Sequence, residues 1–168
     1  LADYEIPFFL DGKKPMLHHP LVELILSSLA VIQGKWRYEA VMRCLKSELL
    51  FPLEGDRAKW REGVDRLENI ALAYGIQGAR WYREEPWRLK GENSPFRHQA
   101  EPSLEAGGQD EETELNRLRL MLVKPLVFLE QEMSKAQTIR ERCVALYRFL
   151  ENSDVPRKLE QMREEANA

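Results

Sequence analysis

Residues 56–75 read DRAKWREGVDRLENIALAYG and contain the most clearly defined helix in the sequence. Asp56 is a preferred N-cap residue, and Gly75 is the residue type found most often just past a helix C-terminus. The apolar side chains between them recur at intervals of four and three, as on one face of a helix. They are Trp60, Val64, Leu67, Ala71 and Tyr74. This stretch predicts an amphipathic helix and points to an all-α fold.

The N-terminal region predicts an extended entry followed by a buried helix. Residues 4–10 are apolar and aromatic and contain a proline, which is typical of a short extended edge segment, so residues 1–19 are expected to lead into the fold. Pro20 suits a first helical turn, His19 is expected at the helix entry, and a 3-4 apolar pattern continues until Gly34.

A second helix is expected from the apolar stripe between Tyr38 and Leu49, with Pro52 stopping it. The first two helices should pack as a hairpin. Residues 20–75 therefore predict helices 1–3.

The periodicity dissolves in residues 76–109, which contain three prolines and a polar stretch. This pattern predicts a long irregular connection. Inside a compact domain such a loop is typically functional or disordered.

Residues 110–168 predict helices 4–6. The acidic cluster that begins at Asp110 suits a helix N-terminus, and Pro125 should kink the long helix that follows. Thr138 and Glu141 form a capping-box pattern, and a last short helix should begin near Asp154. The whole chain, 1–168, is expected to be one compact domain of about six helices.

Composition favours a globular protein without a strong electrostatic field. Of the 168 residues, 43% are hydrophobic, enough for a core, and 28 acidic against 25 basic residues give a net charge of -3. The sequence has no apolar run of transmembrane length and no signal peptide, so we expect a cytoplasmic protein without membrane contact. The first residue is not Met, which favours an internal fragment of a larger protein.

No motif for catalysis, nucleotide binding or metal binding is found. The sequence contains no G-x-x-x-x-G-K-[ST] loop, no G-x-S-x-G elbow and no H-E-x-x-H pair. His18 and His19 are adjacent and lack a third ligand nearby, so a metal site is not predicted. Cys44 and Cys143 are far apart and are expected to be buried, reduced thiols.

One stretch suggests nucleic-acid binding, because basic and aromatic residues alternate in it as they do on single-strand binding surfaces. The candidates are Arg80, Trp81, Arg83, Trp87 and Arg88. The alternative is that Trp81 and Trp87 pin an irregular loop onto the helices, as large aromatic side chains usually do. Arg117 and Arg119 are weaker candidates, for which surface ion pairing is expected.

The order of several segments resembles the middle of AddB (RexB), the second subunit of bacterial AddAB helicase-nucleases. The segments include YEIPFF (4–9), HPLVEL (19–24), WRYEAV (36–41), AYGI (73–76), LNRLR (115–119), KPL (124–126) and LYRFL (146–150). In related superfamily 1 helicases, an extended segment similar to residues 4–9 leads into a helical insertion called 2B. The resemblance thus implies a 2B-like helical insertion.

For the parent subunit, the resemblance implies work on DNA double-strand breaks together with an AddA-type partner, ahead of homologous recombination. The ATP and magnesium used by that enzyme, and its iron-sulfur cluster, are held by family motifs that match no residue of this chain. We therefore expect no cofactor in this segment. Self-association of the segment is possible, because excision can expose an apolar patch that the parent subunit buries, and it is expected to be of doubtful biological meaning. The alternative is a free-standing helical adaptor that docks a partner protein.

Overall fold

A computed structural model describes residues 19–88 and 108–167. These residues form six α-helices and one short 3₁₀ helix, which confirms the expected all-α fold. The α-helices are α1 (Pro20–Gln33), α2 (Tyr38–Lys46), α3 (Arg57–Ala73), α4 (Gly108–Lys135), α5 (Ile139–Asn152) and α6 (Val155–Asn167); the 3₁₀ helix spans Gly78–Trp81. The extended segment expected at residues 4–10 lies outside the described residues.

The predicted helix starts are confirmed by their capping hydrogen bonds. The Nδ1 of His19 accepts a hydrogen bond from the backbone N–H of Leu21, and the Asp56 carboxylate accepts one from the N–H of Ala58 at 2.8 Å. Thr138 and Glu141 form the reciprocal capping box at the start of α5. Each cap satisfies N–H groups that have no partner within the helix.

Two helix boundaries differ from the predicted ones. The second helix ends at Lys46, before Leu49, because the Ser47 hydroxyl donates to the carbonyl oxygen of Cys44 and Glu48 turns the chain with φ +62°. Leu49 is still fully buried, so the apolar stripe continues into a turn. The helix that was expected from residue 110, after the irregular connection, begins at Gly108 as α4. It includes Pro125, and the kink expected at this proline stays a prediction.

The helices pack as two hairpins with α3 between them. As predicted, α1 packs on α2, while α5 packs on α4; α3 contacts both α2 and α4, and α1 also reaches α4. The core contains side chains from both hairpins. Its fully buried members include Leu24, Val31, Leu45, Leu67, Leu122, Leu126, Leu129 and Phe149. Within the described ranges, no helix combines the length and apolar character that a membrane span requires.

Candidate nucleic-acid interface

The candidate residues lie in residues 80–88, which contain the end of the 3₁₀ helix and the turn after it; this segment is called the 80–88 turn. Gly78 has φ +63°, a conformation that glycine adopts without strain, and its N–H donates to the carbonyl oxygen of Trp36 at 3.0 Å. The ring of Tyr82 packs on the ring of Trp36 with centroids 4.8 Å apart. These contacts fix the 80–88 turn against the loop between α1 and α2.

Trp81 and Trp87 both lie in the core. Trp81 is 0% exposed and Trp87 is 6% exposed, and their rings meet edge to face at 5.2 Å. The Trp87 indole N–H donates to the carbonyl oxygen of Arg80 at 2.9 Å. The two indoles are therefore packed as the alternative interpretation predicted, with both rings pinning the turn onto the helices. Neither ring face is open for a base to stack on it.

Arg119 of α4 organises the 80–88 turn, and the expectation that it forms a surface ion pair was wrong. The side chain is 0% exposed, and its guanidinium donates to the carbonyl oxygens of four turn residues at 2.8 to 3.1 Å. These residues are Arg80, Trp81, Arg83 and Glu85. The guanidinium also lies over the Trp87 ring, 4.8 Å from its centroid.

Asn116, one turn before Arg119, completes this arrangement. Its side-chain oxygen accepts from the N–H of Trp87 at 2.7 Å and from Arg119 at 3.2 Å, while its amide nitrogen donates to the Trp87 carbonyl oxygen at 3.1 Å. The Asn116 side-chain amide thus binds both backbone groups of Trp87 and ties the turn to α4. This role of Asn116 was not predicted from the sequence.

Burial lowers the pKa of Arg119 to about 10. This value is still far above neutral, so the guanidinium is charged at pH 7. Carbonyl oxygens surround the guanidinium, so its charge is stabilised by their dipoles and not by a carboxylate.

The signal that could have identified Arg119 is its position on the apolar stripe of α4. Leu115, Arg119, Leu122 and Leu126 follow at intervals of four, three and four, so Arg119 occupies a core position in the helical pattern. A basic residue at such a position requires several acceptors from elsewhere in the fold. Arg117 lies off this stripe and is exposed.

The other three candidates, Arg80, Arg83 and Arg88, are exposed on the same turn. Arg80 also donates to the carbonyl oxygen of Tyr74 at 3.2 Å. Glu84 and Glu85 are exposed beside them, so the positive charge of this surface is partly offset. With the indoles buried, the arrangement offers guanidinium groups for phosphate contacts and no stacking platform.

The two cysteines differ, and the expectation that both are buried holds only for Cys44. Burial raises the pKa of Cys44 to about 12, and its thiol donates to the Ser27 hydroxyl at 3.1 Å. Cys143 is exposed on α5. Across the part of the chain that the structure describes, no group of three or more His, Cys, Asp or Glu side chains could hold a metal ion.

Comparison with known proteins shows close relatives that are much longer than this chain. The chain is 50% identical over 169 residues to AddB of Bacillus subtilis (strain 168), a subunit of its ATP-dependent helicase/deoxyribonuclease. It is 44% identical over 162 residues to the proteins of the same name from Bacillus mycoides (strain KBAB4) and Bacillus cereus (strain B4264). No protein-family model matches the chain.

The alignments cover 96–98% of this chain and only 14% of each relative. The chain thus spans about a seventh of the length of the curated relatives it matches. Identity at this level over nearly the whole chain implies common ancestry. Over nearly its whole length, the chain is therefore homologous to one segment of the AddB subunit of ATP-dependent helicase/deoxyribonucleases, and the predicted resemblance to the AddB family is confirmed.

Proposed function

We propose that this chain is a helical, DNA-guiding segment of an AddB-type subunit and performs no catalysis by itself. In this proposal the parent subunit works in the cytoplasm with an AddA-type partner and processes DNA double-strand breaks for homologous recombination. The observation that carries the proposal is the 50% identity to AddB of Bacillus subtilis over 98% of the chain. Because that relative is far longer, the identity favours a segment over a free-standing adaptor.

The positions of the first and last helices support a place inside a longer polypeptide. Pro20 at the start of α1 and Met162 and Glu165 of α6 border the same cavity of about 530 Å³. The start of α1 therefore lies near α6, and such closeness is compatible with insertion of the segment into a longer chain.

The exposed arginines of the 80–88 turn support contact with the phosphate backbone of DNA. Arg80, Arg83 and Arg88 are exposed, while Arg119 fixes the carbonyl oxygens of the turn and so limits its conformations. Guanidinium groups on a fixed turn bind phosphates regardless of sequence. In the proposal, Trp81 and Trp87 contribute by holding the turn rather than by touching DNA.

The ATP, magnesium and iron-sulfur cluster implied for the parent enzyme would be held outside this segment. What the present residues contribute is a stable bundle with a basic turn. The segment alone is expected to lack ATPase and nuclease activity, and magnesium-dependent DNA cleavage by the pure chain would contradict this.

The DNA contact is tested with a triple variant in the assembled enzyme. Arg80→Gln, Arg83→Gln and Arg88→Gln together remove three exposed positive charges and leave the buried contacts of the turn in place. Single-stranded DNA affinity is measured over a range of salt concentrations. The dependence of log affinity on log salt should flatten by up to about 2, because each lost phosphate contact to a single strand changes the slope by about 0.7.

A matched control replaces three exposed arginines elsewhere, with Arg140→Gln, Arg157→Gln and Arg163→Gln. This control changes the net charge equally, so it should lower affinity slightly and leave the salt slope nearly unchanged. Equal salt slopes for the Arg80, Arg83 and Arg88 variant and the unmodified enzyme would show that the turn does not contact DNA.

A further inference from the structure

An apolar groove lies between α1 and α5. Leu29 and Ile32 of α1 form one wall, Met133 of α4 forms the floor, and Ile139 and Leu146 of α5 line the other wall. The cavity volume is about 660 Å³. Both walls pack on α4, and they leave a gap between them.

Both walls expose apolar side chains that are spaced as on one face of a helix. Ile139 is 82% exposed and Leu29 is 39% exposed, although both are large aliphatic residues. On α5, Ile139, Cys143 and Leu146 follow at intervals of four and three, so the stripe faces one direction. Two apolar walls on either side of a gap form the kind of groove in which an amphipathic helix buries its apolar face.

The charge at the rim specifies the chemistry of the occupant. Arg142 and Glu130 both line the groove, but Glu130 already accepts a hydrogen bond from the Trp36 indole N–H at 3.0 Å. Glu130 keeps its negative charge while it accepts this hydrogen bond, but its side chain is only partly exposed, whereas Arg142 is exposed. The Arg142 guanidinium is therefore the rim charge that is most accessible to an incoming segment. An apolar stripe flanked by a carboxylate suits this surface.

The length of the relatives indicates where the occupant comes from. The matched segment is only 14% of each AddB relative, so most of that polypeptide lies outside it. A helix on the same polypeptide is held near the groove at an effective concentration that a separate molecule rarely reaches. Burial of an exposed Ile and Leu stripe adds a hydrophobic contribution to such docking.

We infer that, in a full-length AddB-type subunit, an amphipathic helix from the polypeptide outside this segment closes the groove between α1 and α5. The occupant carries an apolar stripe against Leu29, Ile32, Ile139 and Leu146 and an acidic side chain near Arg142. This inference rests on the proposed function, because it requires the longer subunit as the setting of the segment.

Cys143 provides the test, because its exposed thiol lines the groove while Cys44 is buried. The rate of Cys143 alkylation by N-ethylmaleimide is measured by mass spectrometry of tryptic peptide 143–148. It is compared between the 168-residue chain and the full-length subunit that contains it. The rate in the full-length subunit should be lower by about tenfold or more, since alkylation then requires local opening.

Two variants of the full-length subunit show whether docking causes the protection. Ile139→Gln weakens the apolar wall and should restore alkylation severalfold. Leu72→Gln changes another exposed leucine, on α3 and outside the groove, and should leave the protection unchanged. The circular dichroism of both variants checks that the helices are retained.

Three results would overturn the inference. Cys143 could react equally fast in both proteins, it could become protected only after the AddA-type partner is added, or it could be protected in the isolated chain in a concentration-dependent way. The last two results would identify a partner protein or a second copy as the occupant. Salt-dependent DNA binding by the assembled enzyme is measured separately, so the docking inference can fail while the proposed function stands.

Discussion

Arg119 carries a positive charge into the core, and its geometry explains why the fold tolerates it. A buried charge is costly unless several groups solvate it. The planar guanidinium has five N–H donors in a fixed fork, which lets it reach the carbonyl oxygens of Arg80, Trp81, Arg83 and Glu85 together. Its Nε, by contrast, has no partner among the described residues. Four residues of the 80–88 turn thus depend on one side chain of α4.

Arg119→Met should lower the free energy of unfolding by roughly 2 to 4 kcal/mol, because it leaves several buried carbonyl oxygens without a donor. Urea denaturation followed by circular dichroism measures the change. Arg117→Met is the matched control, since Arg117 is exposed on the same helix, and it should change stability by less than about 0.5 kcal/mol. If both variants unfold at the same urea concentration, the Arg119 network does not stabilise the turn.

At the scale of the elements, polar contacts join α6 to the bundle beside the apolar packing of Val155, Leu159 and Met162. Arg57 of α3 bridges Glu48 and Glu165, at 2.8 Å and 2.7 Å respectively. Lys158 of α6 donates to the carbonyl oxygen of Leu49 at 3.0 Å. The turn after α2 is therefore a junction at which α2, α3 and α6 meet.

Glu48 gives this junction a pH dependence. Hydrogen bonding from Arg61 holds the pKa of the Glu48 carboxyl below its ordinary value of 4.5, and Arg57 adds to the effect. Because the folded state prefers the ionised carboxylate, its contribution to stability is present above pH 4.5 and is lost as the pH falls through the lowered pKa. Glu48→Gln should therefore cost on the order of 1 kcal/mol at pH 7 and much less at about pH 3.

Urea unfolding of Glu48→Gln and the unmodified chain at both pH values measures this difference. Glu160→Gln, which removes an exposed pair with Arg163 within α6, serves as the control and should have little effect at either pH. A stability gap for Glu48→Gln that is the same at both pH values would rule out the ionised junction as its cause.

At the scale of the whole molecule, features that depend on neighbouring residues could be predicted from the sequence. Features that depend on contacts between distant residues could not. The caps at Asp56 and Thr138 depend on neighbouring residues, and so they could be recognised without the fold. Helical spacing marks Arg119 as a core position, but the carbonyl oxygens that accept its hydrogen bonds lie more than 30 residues away, so its partners could not be identified from a local pattern. For Cys143, helical spacing alone did not reveal that the α5 stripe faces a groove.

Several hydrogen bonds connect the two described halves of the molecule, residues 19–88 and 108–167. Trp36 donates to Glu130 at 3.0 Å, Asn116 binds both backbone groups of Trp87, and Lys158 reaches Leu49. A covalent connection between two pieces lowers the entropy cost of bringing them together, and this cost changes slowly with the length of the connection. The fold should therefore survive as two polypeptides.

Residues 1–88 and 108–168, expressed together as separate polypeptides, should copurify through a tag on either one and show helical circular dichroism. Arg119→Met in the second polypeptide should reduce the amount recovered, because its donors reach only residues of the first polypeptide and its own helix. Arg117→Met should not. Failure of the unmodified pieces to associate, under conditions in which the intact chain folds, would mean that the interface is too weak without the covalent link, and that residues 89–107 contribute more than closure of the chain.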